Sequence, residues 1–163
     1  MPLYFAYGSN MERGPMAARC PGSRPLGPAR LPRHRFVITA EGYASVLRDP
    51  RRTVWGLLWD LALADVPALD RYENVASRLY VKTQQPVLTA GGPRRALIYI
   101  GTTTAVGTPR PGYVEAVAAA AREAGLPADY VREIEAWSPQ TRGTAGAKPA
   151  VRPLWASPLG RKS

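Results

Sequence analysis

Short apolar runs along the chain alternate with stretches of proline, glycine and charge, and the runs are of two kinds. The segment Leu3-Tyr4-Phe5-Ala6-Tyr7 carries no charge and has the length of a buried strand rather than a helix. Residues 53–61 are nearly all apolar and predict a strand covered on both faces. Residues 27–31, 35–38 and 44–47 read as shorter extended segments, the last closed by a charged turn over 48–52. Residues 79–87 and 94–101 predict two strands of similar length, joined as a hairpin through Thr89-Ala90-Gly91-Gly92-Pro93.

The other kind of run has helical spacing. Residues 11–20 predict a short helical stretch that Gly14-Pro15 breaks or restarts, ending at Pro21-Gly22. Asp65 and Pro67 open a two-turn helix with Val66, Leu69 and Tyr72 on one side and its end near Glu73. Residues 111–124 are alanine-rich, carry Tyr113, Val114 and Val117 along one side, and stop at Gly125. A last helix starts at Leu126-Pro127-Ala128-Asp129 and runs to about Trp137, with Tyr130, Val131, Ile134 and Trp137 on one face, so the two form a helical hairpin against the sheet. Residues 138–163 are dominated by Pro, Gly, Ala, Thr and basic residues, with Leu154 and Trp155 as the obvious anchors. They predict a tail that is disordered or laid over the body or over a homodimer partner, outside a domain spanning 1–137.

Composition narrows the class. At 163 residues with 45% hydrophobic content, the chain has the size of one domain with a real core. It shows no apolar run of membrane-spanning length and no secretory order at its start, which predicts a cytoplasmic protein with no membrane partner. Cys20 is the single cysteine and His34 the single histidine, so neither a disulfide nor a Cys/His metal cage is expected. Cys20 reads as a buried or semi-buried thiol, and His34, between two arginines, as a solvated strand start. The net charge of +10 raises nucleic-acid binding as an alternative. The arginines, however, are scattered, apart from doublets such as Arg51-Arg52 and Arg94-Arg95, and accompany no nucleic-acid-binding motif.

The candidate chemistry begins where the first strand stops. Gly8 opens backbone angles closed to other residues, and Ser9 and Asn10 are helix-capping types. Such a strand-to-helix turn aims backbone N–H groups at one spot, which suits an anion or a developing oxyanion. By spacing alone, an ordinary strand-to-helix turn with a helix cap is the favoured reading. The wording Tyr4-Phe5-Ala6-Tyr7-Gly8-Ser9-Asn10-Met11 resembles the signature of the γ-glutamylcyclotransferase family, whose members are also met as AIG2-like proteins. Leu69-Asp70-Arg71-Tyr72-Glu73-Asn74-Val75 is similar to the segment that carries the family's catalytic glutamate, with Asn74 where glycine is usual. Asparagine is well suited to replace glycine at positive φ, so the turn can survive. Tyr80, Tyr99, Tyr113 and the turn from Gly125 to Tyr130 resemble further family positions, and the likeness runs from Leu3 to about Trp137.

The resemblance implies an α+β fold, a mixed, mostly antiparallel barrel-like sheet with flanking helices. It also implies an enzyme with no cofactor and no metal that acts on a small γ-glutamyl substrate. The substrate's α-amino group attacks its own γ-carbonyl, releasing 5-oxoproline and a free amine or amino acid. In that reading Glu73 is the general acid/base, with its pKa raised by walls from Trp55, Tyr80 and Tyr99. Backbone N–H groups of Gly8, Ser9 and Asn10 hold a carboxylate or the oxyanion, and Tyr7, Tyr80 and Tyr99 supply walls and hydroxyl hydrogen bonds. A non-catalytic binder of small amines or anions on the same scaffold is the alternative.

Overall fold

The computed structural model describes residues 2–139. Among the described residues, five strands close into a barrel in the order β1-β3-β2-β4-β5. They are β1 (Leu3–Ala6), β2 (Arg24–Ile38), β3 (Ala44–Asp60), β4 (Tyr80–Thr89) and β5 (Gly92–Gly101). The helices are α1 (Arg13–Arg19), α2 (Val66–Tyr72), α3 (Tyr113–Glu123) and α4 (Ala128–Glu135). Strand β1 is buried along its whole length because it is flanked on both sides, antiparallel to β3 and parallel to β5 at Tyr4↔Leu97. That parallel contact closes an otherwise antiparallel sheet, as the mixed, mostly antiparallel expectation requires. No helix among the described residues is long and apolar enough to cross a membrane.

Two local readings change. The separate segments 27–31 and 35–38 belong to one strand, β2, and residues 44–60 are one strand, β3, with no turn at 48–52. The register explains the charged stretch: Pro32 faces Thr53 and His34 faces Arg48, so residues 49–52 bulge out opposite Arg33 alone. A bulge lets one strand absorb extra residues without reversing the chain, and Arg33 takes the positive φ of 64°. His34, expected to be solvated, is buried, with its Nδ1 3.0 Å from the Pro32 carbonyl oxygen. Next to the bulge its ring is folded back on its own strand rather than into water.

Helices α3 and α4 keep the expected faces, burying Val114, Val117 and Ala121 from one and Tyr130, Val131 and Ile134 from the other. Gly125 ends α3 in the left-handed conformation at φ 82°, and the N–H of Leu126 returns to the Ala121 carbonyl. Cys20 is fully buried after α1, where burial pushes its thiol up to about 11. Of the tail, Ser138 is buried and donates to Glu115 on α3, and the anchors Leu154 and Trp155 lie outside the described residues.

One close contact ties the barrel to the loop that follows β1. A Cβ on Gly56 would lie 2.4 Å from the Ala6 carbonyl oxygen and 2.8 Å from the Phe5 ring, so β1 and β3 can approach only over a glycine. We expect Gly56→Ala to cost about 2–3 kcal/mol of stability by overpacking. Gly14→Ala, in helix α1 with nothing within 4 Å of the new Cβ, should instead gain about 0.5–1 kcal/mol. Urea denaturation of both variants checks this, and similar small effects at the two positions would contradict the close-packed crossing.

Candidate active site

The first turn after β1 and the last residue of α2 meet at one end of the barrel. Ser9–Met11 forms a single 3-10 turn in which the N–H of Met11 donates to the Gly8 carbonyl. Gly8 itself has φ −120°, so it is not left-handed; its lack of a side chain serves close approach instead. A Cβ there would sit 3.1 Å from the Tyr113 hydroxyl and 3.4 Å from Ala44 Cβ.

Glu73 is placed by the way α2 ends. Its N–H closes on the Leu69 carbonyl, that of Asn74 on Arg71, and that of Val75 on Asp70. This is the glycine-type helix stop, and Asn74 supplies its left-handed residue at φ 55°. The turn expected to survive the change from glycine to asparagine does so. Glu73 therefore projects from a helix end that presents carbonyls rather than N–H groups, and no helix donor stabilises its charge.

A hydrogen-bonded chain behind the carboxylate fixes what faces it. Arg19, on α1, donates to Asn10 Oδ1, which turns the Asn10 amide nitrogen inward. That nitrogen lies 3.2 Å from Glu73 Oε2 and 3.1 Å from the Tyr4 hydroxyl. The Arg19 guanidinium also stacks 3.5 Å from the centre of the Tyr72 ring, and the Tyr72 hydroxyl is 2.9 Å from Ser9 Oγ. Burial pushes the Glu73 carboxyl up from 4.5 to about 8, while the positive charge of Arg19 pulls the other way. Burial and the Glu73 charge together hold the phenols of Tyr4 and Tyr7 well above their ordinary range.

Glu73 opens onto a cavity of about 370 Å³. All seven residues singled out from the sequence, Tyr7, Gly8, Ser9, Asn10, Glu73, Tyr80 and Tyr99, line it. Trp55, expected as a wall, does not. On β3 it alternates with the inward residues Val54 and Gly56 and lies on the outer side under the Arg30 guanidinium. The tyrosine hydroxyls also differ from expectation, because their protons are used within the protein. Tyr7 donates to the Tyr99 carbonyl at 2.5 Å, Tyr80 to the Ala44 carbonyl at 2.5 Å, and Tyr99 to Asp70 Oδ1 at 2.6 Å. These rings are braced walls rather than free donors. Asp70 is held in turn by Lys82 at 2.8 Å.

Sequence reasoning missed Tyr4, Glu41, Tyr43, Tyr72 and Arg110 among the lining residues, and Arg19 behind them. Tyr4 and Tyr72 stand inside the very segments that were read for Tyr7 and Glu73, so the signal was present. Arg19, Glu41, Tyr43 and Arg110 are brought in by tertiary packing and had no local pattern. Among the described residues, no group of three or more His, Cys, Asp or Glu could hold a metal ion.

A small closed barrel with a buried carboxylate at its tyrosine-lined end defines a pocket built for proton transfer on a small molecule. Residues 53–134 match the AIG2-like family. The chain is 30% identical over 148 residues to the human protein named gamma-glutamylcyclotransferase, covering 84% of this chain and 79% of the relative. The mouse protein of the same name is 31% identical over 149 residues, with the same coverage. A solved structure named gamma-glutamyl cyclotransferase superposes with a TM-score of 0.79 at 27% identity, covering 89% of this chain and 93% of that one. The chain belongs to the γ-glutamylcyclotransferase, or AIG2-like, family.

The raised proton affinity of Glu73 has a consequence for stability. Between pH 4.5 and about 8 the folded protein keeps a proton that the unfolded chain has released, so stability falls as pH rises through that window. Glu73→Gln lacks this loss. Relative to wild type it should gain about 2–4 kcal/mol between pH 5 and pH 9. Melting temperatures across that range are the check, and parallel curves for the two proteins would contradict the assignment.

Proposed function

We propose that this pocket cyclises a γ-glutamyl compound, releasing 5-oxoproline and a free amine or amino acid, with Glu73 as the general acid/base. The observation that carries the reading is a carboxyl with its pKa raised to about 8 in the lining of a cavity of about 370 Å³, within the range of small-molecule sites. Glu73 as carboxylate takes a proton from the substrate's α-ammonium group. The freed nitrogen lone pair attacks the γ-carbonyl carbon and forms the five-membered ring. The attacking nitrogen sheds a second proton as the lactam forms, and both protons pass in turn through Glu73 to the leaving nitrogen, which departs as an ammonium group as the amide C–N bond breaks, so atoms and charge balance without water or a further reactant. Both nucleophile and electrophile belong to one molecule, so the protein's main task is to hold it folded.

The remaining lining residues divide that task. In this reading backbone N–H groups of the Gly8-Ser9-Asn10 turn, which lines the cavity, take the γ-carbonyl oxygen as it becomes negative or a substrate carboxylate. Tyr7, Tyr80 and Tyr99 confine the chain, their positions fixed by the bonds to Tyr99, Ala44 and Asp70. Asn10 keeps a donor on Glu73 and is itself aimed by Arg19. We also infer a cytoplasmic setting, supported by the unpaired buried Cys20.

Glu73→Gln keeps the shape and loses the proton acceptor, so turnover should fall at least about 1000-fold with ligand affinity nearly unchanged. In wild type the acidic limb of kcat/KM should have an apparent pKa near 8. Arg19→Gln removes the charge that opposes burial, which should move the limb to higher pH. The measurement is 5-oxoproline release from a panel of γ-glutamyl compounds at several pH values. Near wild-type turnover in Glu73→Gln would remove that residue from the mechanism.

A further inference from the structure

Among the described residues, Arg110 is the only lysine or arginine that lines the cavity, and residues 41–43 hold both its backbone and its side chain. Its backbone N–H donates to the Gly42 carbonyl at 3.2 Å, and its Nε donates to the Glu41 carbonyl at 3.0 Å. Its guanidinium lies over the Tyr43 ring, 4.6 Å from the centre, and Tyr43 in turn stands edge-on to Tyr113 at 5.7 Å. Gly42, at φ 91°, makes the arrangement possible, because a Cβ there would come within 2.7 Å of Arg110 Cγ. A flexible cation is thus fixed in one orientation.

The charge of this guanidinium is uncommitted. Among the described residues no carboxylate lies within ion-pair distance of it and no acceptor engages its terminal nitrogens. Glu41, its neighbour on the loop, accepts from the Thr103 hydroxyl at 2.9 Å instead. A half-buried guanidinium with free, parallel N–H groups matches a carboxylate. It stands apart from the proton-transfer group, for Arg19 is the charge that acts on Glu73. Arg110 and Tyr43 are half-buried, whereas Tyr4, Tyr7, Asn10, Tyr80, Tyr99 and Tyr113 are buried. The γ-glutamyl unit common to all substrates belongs among the buried residues, and the part that varies must pass the rim.

We propose that Arg110 binds a carboxylate on the departing amine, so that the pocket selects γ-glutamyl amino acids over γ-glutamyl amines that lack an acid group. This rests on the cyclisation reading and names the residue that sets its leaving-group preference. Two substrates, γ-glutamyl-alanine and γ-glutamyl-ethylamide, differ at the leaving group chiefly by that carboxylate. Wild type, Arg110→Gln and Arg110→Lys are compared for kcat/KM on both, using the full chain. In wild type the alanine compound should be preferred. Arg110→Gln should reduce that preference about 10- to 100-fold, mainly through KM, and Arg110→Lys should retain part of it. Equal losses on both substrates would assign Arg110 to the shared γ-glutamyl unit or to loop structure and overturn the proposal, as would an unchanged ratio. A wild-type protein that cyclises neither compound would overturn the cyclisation reading and this inference together, an outcome distinct from activity on both with an unaltered ratio.

Discussion

The site depends on a carboxylate that the fold keeps away from water at the end of a helix. Glu73 follows the last turn of α2, faces a cavity walled by tyrosines, and receives one modest hydrogen bond from Asn10. Burial favours the protonated form, and the positive charge of Arg19, transmitted in part through Asn10, offsets some of that preference. The balance sets the carboxyl at about 8, where one group can both accept and return a proton near neutral pH. Full solvation would leave a weak base; complete isolation would leave an acid that never ionises.

The barrel supplies the stiffness that this balance needs. Strand β1 brings Tyr4 to the pocket and runs on through Tyr7 into the Gly8-Ser9-Asn10 turn. Its close crossing with β3 at Gly56 fixes where that turn begins. Tyr99 arrives on β5 and Tyr80 on β4, while α3 contributes Tyr113, whose hydroxyl accepts from the Ala44 N–H at 3.1 Å. Because each of these phenols is bonded to protein, the walls are set before substrate arrives, and little ordering remains to be done on binding.

Legibility in the sequence followed the range of the interaction. Strand β1, the hairpin β4–β5 and the two closing helices were readable because their apolar spacing and their glycine or proline stops are local. The positive φ of Asn74 could be foreseen from its place after Glu73, since residue type restricts that angle. The bulge opposite Arg33 could not, because a charged Asp-Pro stretch looks the same in a turn and in a bulged strand until its partner is known. The burial of His34 follows from that same bulge. Trp55 was placed in the pocket because an apolar strand covered on both faces does not declare which of its residues point inward. Arg19 and Arg110 were beyond reach for a different reason: each acquires its role from rings and carbonyls far along the chain.

The central claim, that the protein holds Glu73 poised between its two protonation states, is open to direct observation. Difference infrared spectra of wild type minus Glu73→Gln isolate the carboxyl and carboxylate bands of this one residue as pH is changed. The account predicts that the protonated band is still present at pH 6 and gives way to the carboxylate band with a midpoint near 8. A midpoint near 4.5 would mean that the carboxylate is solvated in the folded protein, contradicting the site described here.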